Sequence, residues 1–370
     1  MDVLLLAYRQ KSLSKAMKTK EILIYCGPLN KKGLPARGGF ESANRRNIEL
    51  LEPYYDIVEL SYTNLTTTLG KGITWVLNFV SIYASLIKCR IKFLNKPIII
   101  HITPLFKGFV YFEVLTIVLA KILAMKVVSD VRAGSFINHY RERNSFYRYF
   151  VRKLLEMSST ILVEGAIYIE FIKSLVGKQA IYFPNYHIST HDLQSGRRPS
   201  KNPNLIYFGR LTANKGVPLI VDLALLAPHF SITLIGQVAE DCKEMLSHLP
   251  ANIRLKAPLG KEELSNEIRL ADYFIFPTRH PGEGQSNSLT EAISYGIVPI
   301  CSDNGFNRDV IKDTGIVMDI AADATDYKMA IEQITELEYE RLSAACIHNF
   351  KTYYSAEAIN VLLTQYKILN

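Results

Sequence analysis

Two glutamates, Glu283 and Glu291, stand eight positions apart, and between them lies a small polar turn from Gly284 to Ser288. A short apolar helical pattern follows and stops at Gly296. One interpretation is structural, because residues 288–291 read Ser-Leu-Thr-Glu, the spacing of a capping box in which Glu291 bonds back to the helix start. Gly296 would then be the C′ residue and Glu283 a surface acid. The other interpretation is that both acids contact a substrate.

Two cations and a glycine pair offer a second kind of chemistry. Arg210 and Lys215 lie five positions apart on a loop between a strand and a helix, where they could hold a diphosphate, Arg as a planar fork and Lys as a compact charge. Gly38 and Gly39 precede a helix, and backbone N–H groups at a helix start bind anions. Solvated loop charges and a plain turn are the alternatives. Neither a dinucleotide fingerprint nor a Walker A loop is present.

The elements that must position these residues alternate between strand and helix. In the first half, short β-branched runs separated by helical patterns predict a parallel sheet covered on both faces. Its predicted strands are 21–27, 55–62, 97–103, 126–132, 160–165 and 180–185. Residues 1–187 are interpreted as the first domain, in which 1–16 form a loose extension before the first strand.

A polar stretch at 188–203, rich in Ser, Arg and Pro, is typical of a linker. The pattern then restarts as a second domain over 204–350, followed by an amphipathic helix within 351–370. The predicted strands of the second domain are 204–210, 231–237, 251–257, 273–278, 298–303 and 315–319. Two doubly wound α/β domains in tandem predict a ligand cleft at the carboxyl ends of both sheets.

Composition restricts the class of protein. A chain of 370 residues, 48% hydrophobic and 21% charged, suits two globular domains. Its five scattered cysteines and the lack of a Cys-x-x-Cys pair argue against disulfides or a zinc site and favour the cytoplasm. No signal peptide is recognised, and the apolar stretches 73–87 and 108–125 are interpreted as buried helices. No Asp-x-Asp pair suited to a metal is present, so metal-independent chemistry is expected.

The net charge of +8 is divided unevenly between the two halves. Residues 1–185 hold 26 Lys and Arg against 13 Asp and Glu, whereas residues 186–370 hold 17 against 22. A basic half suits nucleic acid, anionic lipid or a phosphorylated substrate, and solvated lysines are the alternative. No RNA-recognition, helix-turn-helix or zinc motif accompanies the charge, so nucleic acid is not expected as a partner.

Several of these stretches resemble the family 4 glycosyltransferases. The segment 276–311 is similar to the family's most diagnostic one, with Glu283, seven intervening residues, Glu291, and then Gly-Ile-Val-Pro-Ile at 296–300. The stretch 207–216 looks like the family's Gly-Arg-Leu…Lys-Gly segment, and 183–187 is similar to the segment that closes the first domain. The resemblance is specific over 204–311 and looser over 1–185, where it rests on the Gly38-Gly39 loop and on 129–134.

The resemblance implies a GT-B architecture, with two Rossmann-like domains facing a cleft and a last helix that crosses back to the first domain. Carried over residue by residue, Glu291 would bind the donor's ribose hydroxyls and Glu283 the transferred sugar. Arg210 and Lys215 would hold the diphosphate. The other positions expected to contact the donor, largely through backbone amides, are Gly38, Gly39, Gly284, Ser286, Ser288 and Leu289.

This chain departs from the family pattern at several positions. Gln285 and Ser286 stand where many members carry Phe followed by Gly or Pro, and Tyr186 replaces a common glycine. The first-domain histidine that many members place near the sugar has no clear counterpart. Asp130 sits near the expected place, with His101 and His139 as alternatives, and a strand-end aspartate can also simply be a cap.

The function implied is a retaining, metal-independent hexosyltransferase without a cofactor. It would move a sugar from a UDP- or GDP-sugar to a saccharide acceptor, expected to be a lipid-diphosphate-linked intermediate of O antigen, capsule or exopolysaccharide synthesis. The basic half would then lie on the cytoplasmic face of an anionic membrane. A nucleotide-sugar epimerase of the same fold is the alternative, followed by a non-enzymatic basic protein that binds membranes or nucleic acid. A phosphorylase is disfavoured because no site for a pyridoxal-type lysine is recognised.

Overall fold

A six-stranded parallel sheet organises the first half of the molecule. The computed structural model describes residues 20–30, 38–62, 70–188 and 197–355. The sheet order is β2-β1-β3-β4-β5-β6, and every neighbouring pair is parallel. The strands are Glu21–Gly27 (β1), Tyr55–Ser61 (β2), Ile98–Ile102 (β3), Lys126–Val131 (β4), Thr160–Val163 (β5) and Ile181–Tyr182 (β6).

A second parallel sheet of six strands follows, in the order β12-β11-β10-β7-β8-β9. Its strands are Asn204–Phe208 (β7), Ser231–Ile235 (β8), Ile253–Lys256 (β9), Tyr273–Phe276 (β10), Val298–Ser302 (β11) and Ile316–Met318 (β12). All twelve predicted strands are confirmed, with ends shortened by a few residues. The two-domain α/β fold class predicted from the sequence is therefore confirmed.

Both faces of the first sheet are buried, as the apolar composition of its strands requires. Ile22 and Ile24 of β1 pack into a core with the following helices, whereas Leu23 and Tyr25 pack into a second core on the opposite face. The helices of this domain are Gly39–Leu51 (α1), Lys71–Lys92 (α2), Val110–Ile122 (α3), Phe136–Glu142 (α4), Ser145–Met157 (α5) and Ile167–Val176 (α6).

Helices likewise connect the strands of the second sheet. They are Val217–Leu226 (α7), Lys243–Leu246 (α8), Lys261–Leu270 (α9), Asn287–Ser294 (α10), Asn307–Ile311 (α11), Ala324–Glu332 (α12) and Glu336–Asn349 (α13). Helix α10 ends at Ser294 with Tyr295 as its C-cap, and Gly296 follows with φ 70° in the left-handed region, as expected for a C′ glycine.

The strand orders locate the switch points of both sheets. In the first sheet the chain leaves β1 for β2 on one side and returns to β3 on the other. In the second sheet β7 lies between β8 and β10, the order typical of dinucleotide-binding folds. Ligands of open α/β sheets bind outside the carboxyl ends of strands at these points. The loops that follow β1, β7 and β10 are therefore the expected binding loops.

One sequence expectation about burial is wrong. The pattern at 73–87 predicts a buried helix, but α2 buries only part of its surface and exposes a series of apolar side chains. Phe79, Ile82 and Leu86 on the other face of α2 do enter the core. The apolar pattern of the sequence alone does not distinguish a helix buried on all sides from one buried on a single side.

The chain boundaries stay predictions. The expected extension at 1–16 and most of the linker at 189–196 lie outside the described residues, and so does the body of the last helix from residue 356 onward. The chain does reach the first domain just before that point, because the His187 N–H donates to the Tyr354 carbonyl oxygen at 2.9 Å.

Candidate active site

The loops after β7 and β10 meet at the switch point of the second sheet. The first loop ends in a short 3₁₀ turn, Ala213–Lys215, and Gly216 follows with φ 83°. A Cβ at Gly216 would overlap the Pro277 carbonyl oxygen, so only glycine lets the two loops pack this closely. The sequence-predicted cation Lys215 is thereby brought to the loop that carries Glu283.

Lys215 and Glu283 form an ion pair in this site. The Lys215 Nζ lies 2.7 and 2.5 Å from the two carboxylate oxygens of Glu283, and the Thr278 hydroxyl donates to Oε2 at 2.7 Å. Glu283 is buried, whereas Lys215 keeps about a quarter of its side chain exposed. The pair fixes one acid and one cation together at the carboxyl edge of the sheet, and Arg210 lies exposed on the neighbouring loop.

Helix α10 begins two residues earlier than the capping-box interpretation requires. Its N-cap is Ser286, whose hydroxyl accepts the Leu289 N–H at 3.3 Å. Ser288 is therefore the second residue of the helix, and Glu291 lies beyond the position from which a side chain bonds back to the cap. The capping-box interpretation of Glu291 is wrong. The Leu289 amide, expected to support a phosphate, is instead held by Ser286.

Glu291 occupies a low-dielectric position facing the first domain. Its side chain is 21% exposed, and its Oε1 lies 4.0 Å from Nε2 of His187. Burial raises the pKa of Glu291 to about 7, although the positive charges of Arg46 and Lys261 oppose the shift. A carboxylate that titrates near neutrality at a cleft is typical of a ligand-binding acid.

Two helix N-termini converge beside Glu291. Helix α1 begins at Gly39, whose carbonyl oxygen accepts a long hydrogen bond from the Asn287 side-chain amide at 3.5 Å. Arg46 of α1 donates to the Tyr186 carbonyl oxygen and reaches the Asn287 Oδ1 at 3.5 Å. The Gly38-Gly39 turn and the start of α10 thus face one another across the cleft. Their partial positive charges add to that of Lys215.

Asp130 of β4 is fully buried. Its Oδ2 accepts from the Arg132 Nε at 2.6 Å and lies 3.3 Å from the His101 Nε2. Burial alone would raise the pKa of Asp130, but Arg132 and His101 hold it below the usual value. Asp130 and His101, two of the three first-domain candidates, are thus one buried unit, and this geometry favours positioning over contact with a sugar. The third, His139, packs edge-on against Tyr147 on helix α5.

A pair of amide side chains ties the two domains together, although sequence patterns assign it no role. The Asn185 N–H donates to the Gln285 Oε1 at 2.6 Å, and the Gln285 Nε2 donates to the Asn185 carbonyl oxygen at 2.8 Å. The Asn185 side-chain amide donates to the Gln285 carbonyl oxygen at 2.9 Å, and Arg132 donates to Asn185 Oδ1. Gln285 is a residue at which the chain departs from the family pattern. That departure is the one signal of the pair in the sequence.

Glycines let first-domain loops touch the Glu283 segment directly. A Cβ at Gly134, after β4, would overlap the Glu283 carbonyl oxygen, and one at Gly284 would meet a carboxylate oxygen of Glu164. Glu164, after β5, is buried, and burial raises its pKa well above the usual value. No sequence motif marks Glu164 or Arg46 as a site residue. The segment that carries Glu283 and Gly284, which is predicted to hold the donor, is therefore in direct contact with loops of the first domain.

Comparison with known proteins agrees with this geometry. A family model described as "Glycosyl transferases group 1" matches residues 189–352. This range includes the loops that carry Lys215, Glu283 and Glu291. The second domain is therefore similar to the group 1 glycosyl transferases. The resemblance to glycosyltransferases of this type is thereby confirmed. A search of curated protein sequences finds no match.

Solved structures extend the likeness to both domains of the chain. Sucrose-phosphate synthase from Thermosynechococcus elongatus is 16% identical, with 95% of this chain and 99% of that chain covered and a TM-score of 0.71. HepE from Anabaena, solved with UDP-glucose, is 12% identical, with 94% and 100% covered and a TM-score of 0.67. The lipopolysaccharide outer core galactosyltransferase WaaB is 15% identical, with 92% and 97% covered and a TM-score of 0.63. At these identities the likeness shows the shared GT-B fold.

No group of three or more His, Cys, Asp or Glu side chains that could hold a metal ion occurs among the residues that the structure describes. The positive groups that face the cleft beside Glu283 and Glu291 are side chains and helix ends of the protein itself.

Proposed function

We propose that the protein is a retaining glycosyltransferase that moves a hexose from a nucleotide-sugar donor to a lipid-diphosphate-linked saccharide acceptor. The observation that carries the proposal is the Lys215–Glu283 pair beside two facing helix N-termini. This arrangement offers a carboxylate for a sugar and fixed positive charge for a diphosphate within one cleft. Arg210 and the Gly38-Gly39 and Ser288 amides complete the proposed diphosphate site.

The same geometry suggests how each group takes part. Glu283 accepts hydrogen bonds from the transferred sugar, and Glu291 accepts them from the ribose hydroxyls. As the bond between C1 of the sugar and the phosphate oxygen breaks, negative charge grows on the diphosphate, where Lys215 and Arg210 stabilise it. The acceptor oxygen bonds to C1 from the same side, and its proton passes to the departing phosphate oxygen. This chemistry needs neither a metal nor a cofactor.

The donor and the acceptor are proposed on separate grounds. HepE was solved with UDP-glucose, which supports a UDP-sugar, and a GDP-sugar is the other candidate. WaaB is described as a lipopolysaccharide outer core galactosyltransferase, which supports an acceptor in O antigen, capsule or exopolysaccharide synthesis. The proposed location is the cytoplasm at the membrane surface, where such an acceptor is held.

The test is nucleotide release in the presence of a chelator. Purified protein is incubated with a panel of UDP- and GDP-sugars, with and without a lipid-diphosphate sugar acceptor. The variant Glu291→Ala is compared with Glu244→Ala, a control that removes an exposed glutamate of the same domain. We expect acceptor-dependent release from one donor, lost at least about 100-fold in Glu291→Ala and kept in the control.

Three results would contradict parts of the proposal. Loss of activity with chelator would refute metal independence. Turnover of a donor without any acceptor would favour the epimerase alternative. Failure of every donor to bind or react would mean that only the fold is shared.

A further inference from the structure

Helix α2 presents an apolar stripe to the outside of the first domain. Six of its large hydrophobic side chains are between 38% and 64% exposed, and they recur at helical spacings of three, four or seven: Ile73, Val76, Leu77, Val80, Ile87 and Ile91. Such spacing places them on one side of the helix. We call these six residues the apolar stripe.

The other side of α2 belongs to the core of the first domain. Phe79 and Leu86 are fully buried, and the Phe79 ring stacks on Phe112 of α3 with centroids 4.9 Å apart. Among the described residues α2 is the one helix long and apolar enough to cross a membrane by length and composition. Because its inner face is anchored in the core, it suits a helix that lies on a membrane and does not cross it.

Neighbouring helices extend the apolar surface. Helices α3 and α5 contribute to the same core as α2 and expose Leu115, Ile122, Phe146 and Tyr149. The ring of Tyr111 on α3 contacts that of Phe150 on α5 with centroids 5.1 Å apart. Large exposed apolar side chains on three helices that pack together are typical of an interaction site.

The charged residues around this surface indicate which kind of partner it would bind. Residues 71–157 contain 14 Lys and Arg against four Asp and Glu, and two of those acids, Glu113 and Asp130, are buried. Helix α2 has no acidic residue, and its exposed Lys88 and Lys92 flank Ile87 and Ile91. Cations beside an apolar stripe complement anionic lipid headgroups over acyl chains. A second copy of the same basic face would repel it.

The start of the stripe lies at the rim of the cleft. Helix α2 follows β2, so its first turns are at the carboxyl edge of the first sheet. Trp75 confirms the position, because its ring contacts that of Phe109, which follows β3, with centroids 4.3 Å apart. A surface seated here would bring the cleft to an acceptor held in a membrane.

We propose that the apolar stripe of α2, with Lys88 and Lys92, is the surface by which this protein docks onto an anionic lipid bilayer. The stripe enters the boundary between headgroups and acyl chains while the cations contact the headgroups. The inference extends the proposed transferase function by naming its membrane-binding surface, but lipid binding can be measured without any sugar donor.

Trp75 is the single tryptophan of the chain and packs against the core on the inner side of α2. The reporter for the test is therefore a tryptophan placed within the stripe, Val80→Trp, in a Trp75→Phe background. Its fluorescence is recorded while vesicles of phosphatidylcholine, with or without phosphatidylglycerol, are added at low salt. Vesicles with brominated acyl chains then report whether the indole reaches the acyl region. We expect quenching only with the anionic vesicles, and a vesicle affinity at least about 10-fold lower for Lys88→Gln with Lys92→Gln.

A matched set of variants separates the stripe from general surface hydrophobicity. Val80→Glu with Ile91→Glu places two acids in the stripe, whereas Leu225→Glu with Leu270→Glu places two at equally exposed leucines of the second domain. We expect the stripe variant to lose vesicle binding by at least about 10-fold and the control to keep it. Thermal unfolding of each variant checks that the fold is intact, and Ile73→Glu with Ile87→Glu is a second stripe variant if the first fails to fold.

Three outcomes would overturn the proposal. The first is the Val80→Trp reporter protein showing no quenching with anionic vesicles at low salt. The second is a stripe variant that binds vesicles as well as the native chain. The third is sedimentation showing self-association that Val80→Glu abolishes, without any lipid binding, which would assign the stripe to a second copy of the chain. None of these three outcomes bears on the transferase function, which the nucleotide-release assay tests separately.

Discussion

At the scale of single residues, the ionised carboxylate of Glu291 lowers the free energy of unfolding. Its pKa in the folded protein, about 7, lies above the ordinary value of 4.5 because burial disfavours the carboxylate. A group with a raised folded pKa contributes stability below the ordinary value, and that contribution is lost as pH rises through the folded pKa. Ionised Glu291 therefore opposes folding at pH 8, as expected for a binding group selected for function.

Glu291→Gln is predicted to stabilise the protein and weaken donor binding together. At pH 8 we expect the free energy of unfolding to rise by about 1–3 kcal/mol, and at pH 4.5 to change little. Native affinity for the donor nucleotide should increase as pH rises through about 7, since the carboxylate accepts the ribose hydroxyls, and the variant should lose this dependence. Urea denaturation and calorimetric titration measure the two effects. A variant with the native pH profile of binding would contradict the role.

Lys215 holds a buried acid as well as the proposed diphosphate. Lys215→Ala leaves the Glu283 carboxylate with the Thr278 hydroxyl but without its cation. We expect the free energy of unfolding to fall by about 1–3 kcal/mol, less than for a fully buried pair because Lys215 is partly exposed. Transfer should fall at least about 100-fold.

The double variant tests the effect of Lys215 on stability. In Lys215→Ala with Glu283→Gln the buried charge is gone, so denaturant unfolding should return toward the native value while transfer stays low. Unfolding that stays at the value of Lys215→Ala would mean that the loss of stability does not come from the unpaired charge of Glu283.

At the scale of elements, the loop after β4 seats against the donor segment without space for a side chain. Gly134→Ala would place a methyl group on the Glu283 carbonyl oxygen and force the two domains apart. We expect kcat to fall at least about 10-fold and hydrogen exchange to rise in both contacting segments, with little change in thermal unfolding. Gly108→Ala, where a Cβ meets open space, is the matched control. Equal kinetics in the two variants would show that this contact is not part of the active state.

The Asn185–Gln285 pair acts at the same scale. Three hydrogen bonds between residues 100 positions apart connect the end of the first domain to the loop before α10. Arg132, which also holds Asp130, donates to the same asparagine. The buried Asp130 unit is thus connected through Asn185 to the segment that carries Gln285. We predict that it positions this segment and does not contact the sugar.

At the scale of the whole molecule, the two halves of the chain carry net charges of opposite sign. The first half carries +13 and the second −5, and the exposed apolar stripe lies on the basic half. We predict that transfer to a lipid-linked acceptor in anionic vesicles falls steeply between about 50 and 300 mM salt, because headgroup attraction is screened within a Debye length. Transfer to a water-soluble acceptor should change little. Equal salt dependence of both reactions, measured by nucleotide release, would place the effect in the cleft and not at the membrane.

Local patterns in the sequence are sufficient for the elements and for the loops that carry the site. A strand buried on both faces must be apolar throughout, so the runs at 21–27 and 273–278 are recognisable without their partners. Because strands and helices alternate, the sheets have to be parallel and their carboxyl ends have to share an edge. Together with the family resemblance, this alternation assigns Lys215 and Glu283 to one cleft from the amino-acid sequence alone.

Only the tertiary structure decides which groups each residue meets. The cap at Ser286, and not Ser288, depends on backbone angles that the Ser-x-x-Glu spacing does not determine. The pairing of Asn185 with Gln285 and the burial of Asp130 between Arg132 and His101 join residues from separate elements, so no local pattern contains them. The exposure of the α2 stripe likewise follows from which side of the helix the core takes. Periodicity defines the faces of a helix, but packing alone decides which face is left to the solvent or a membrane.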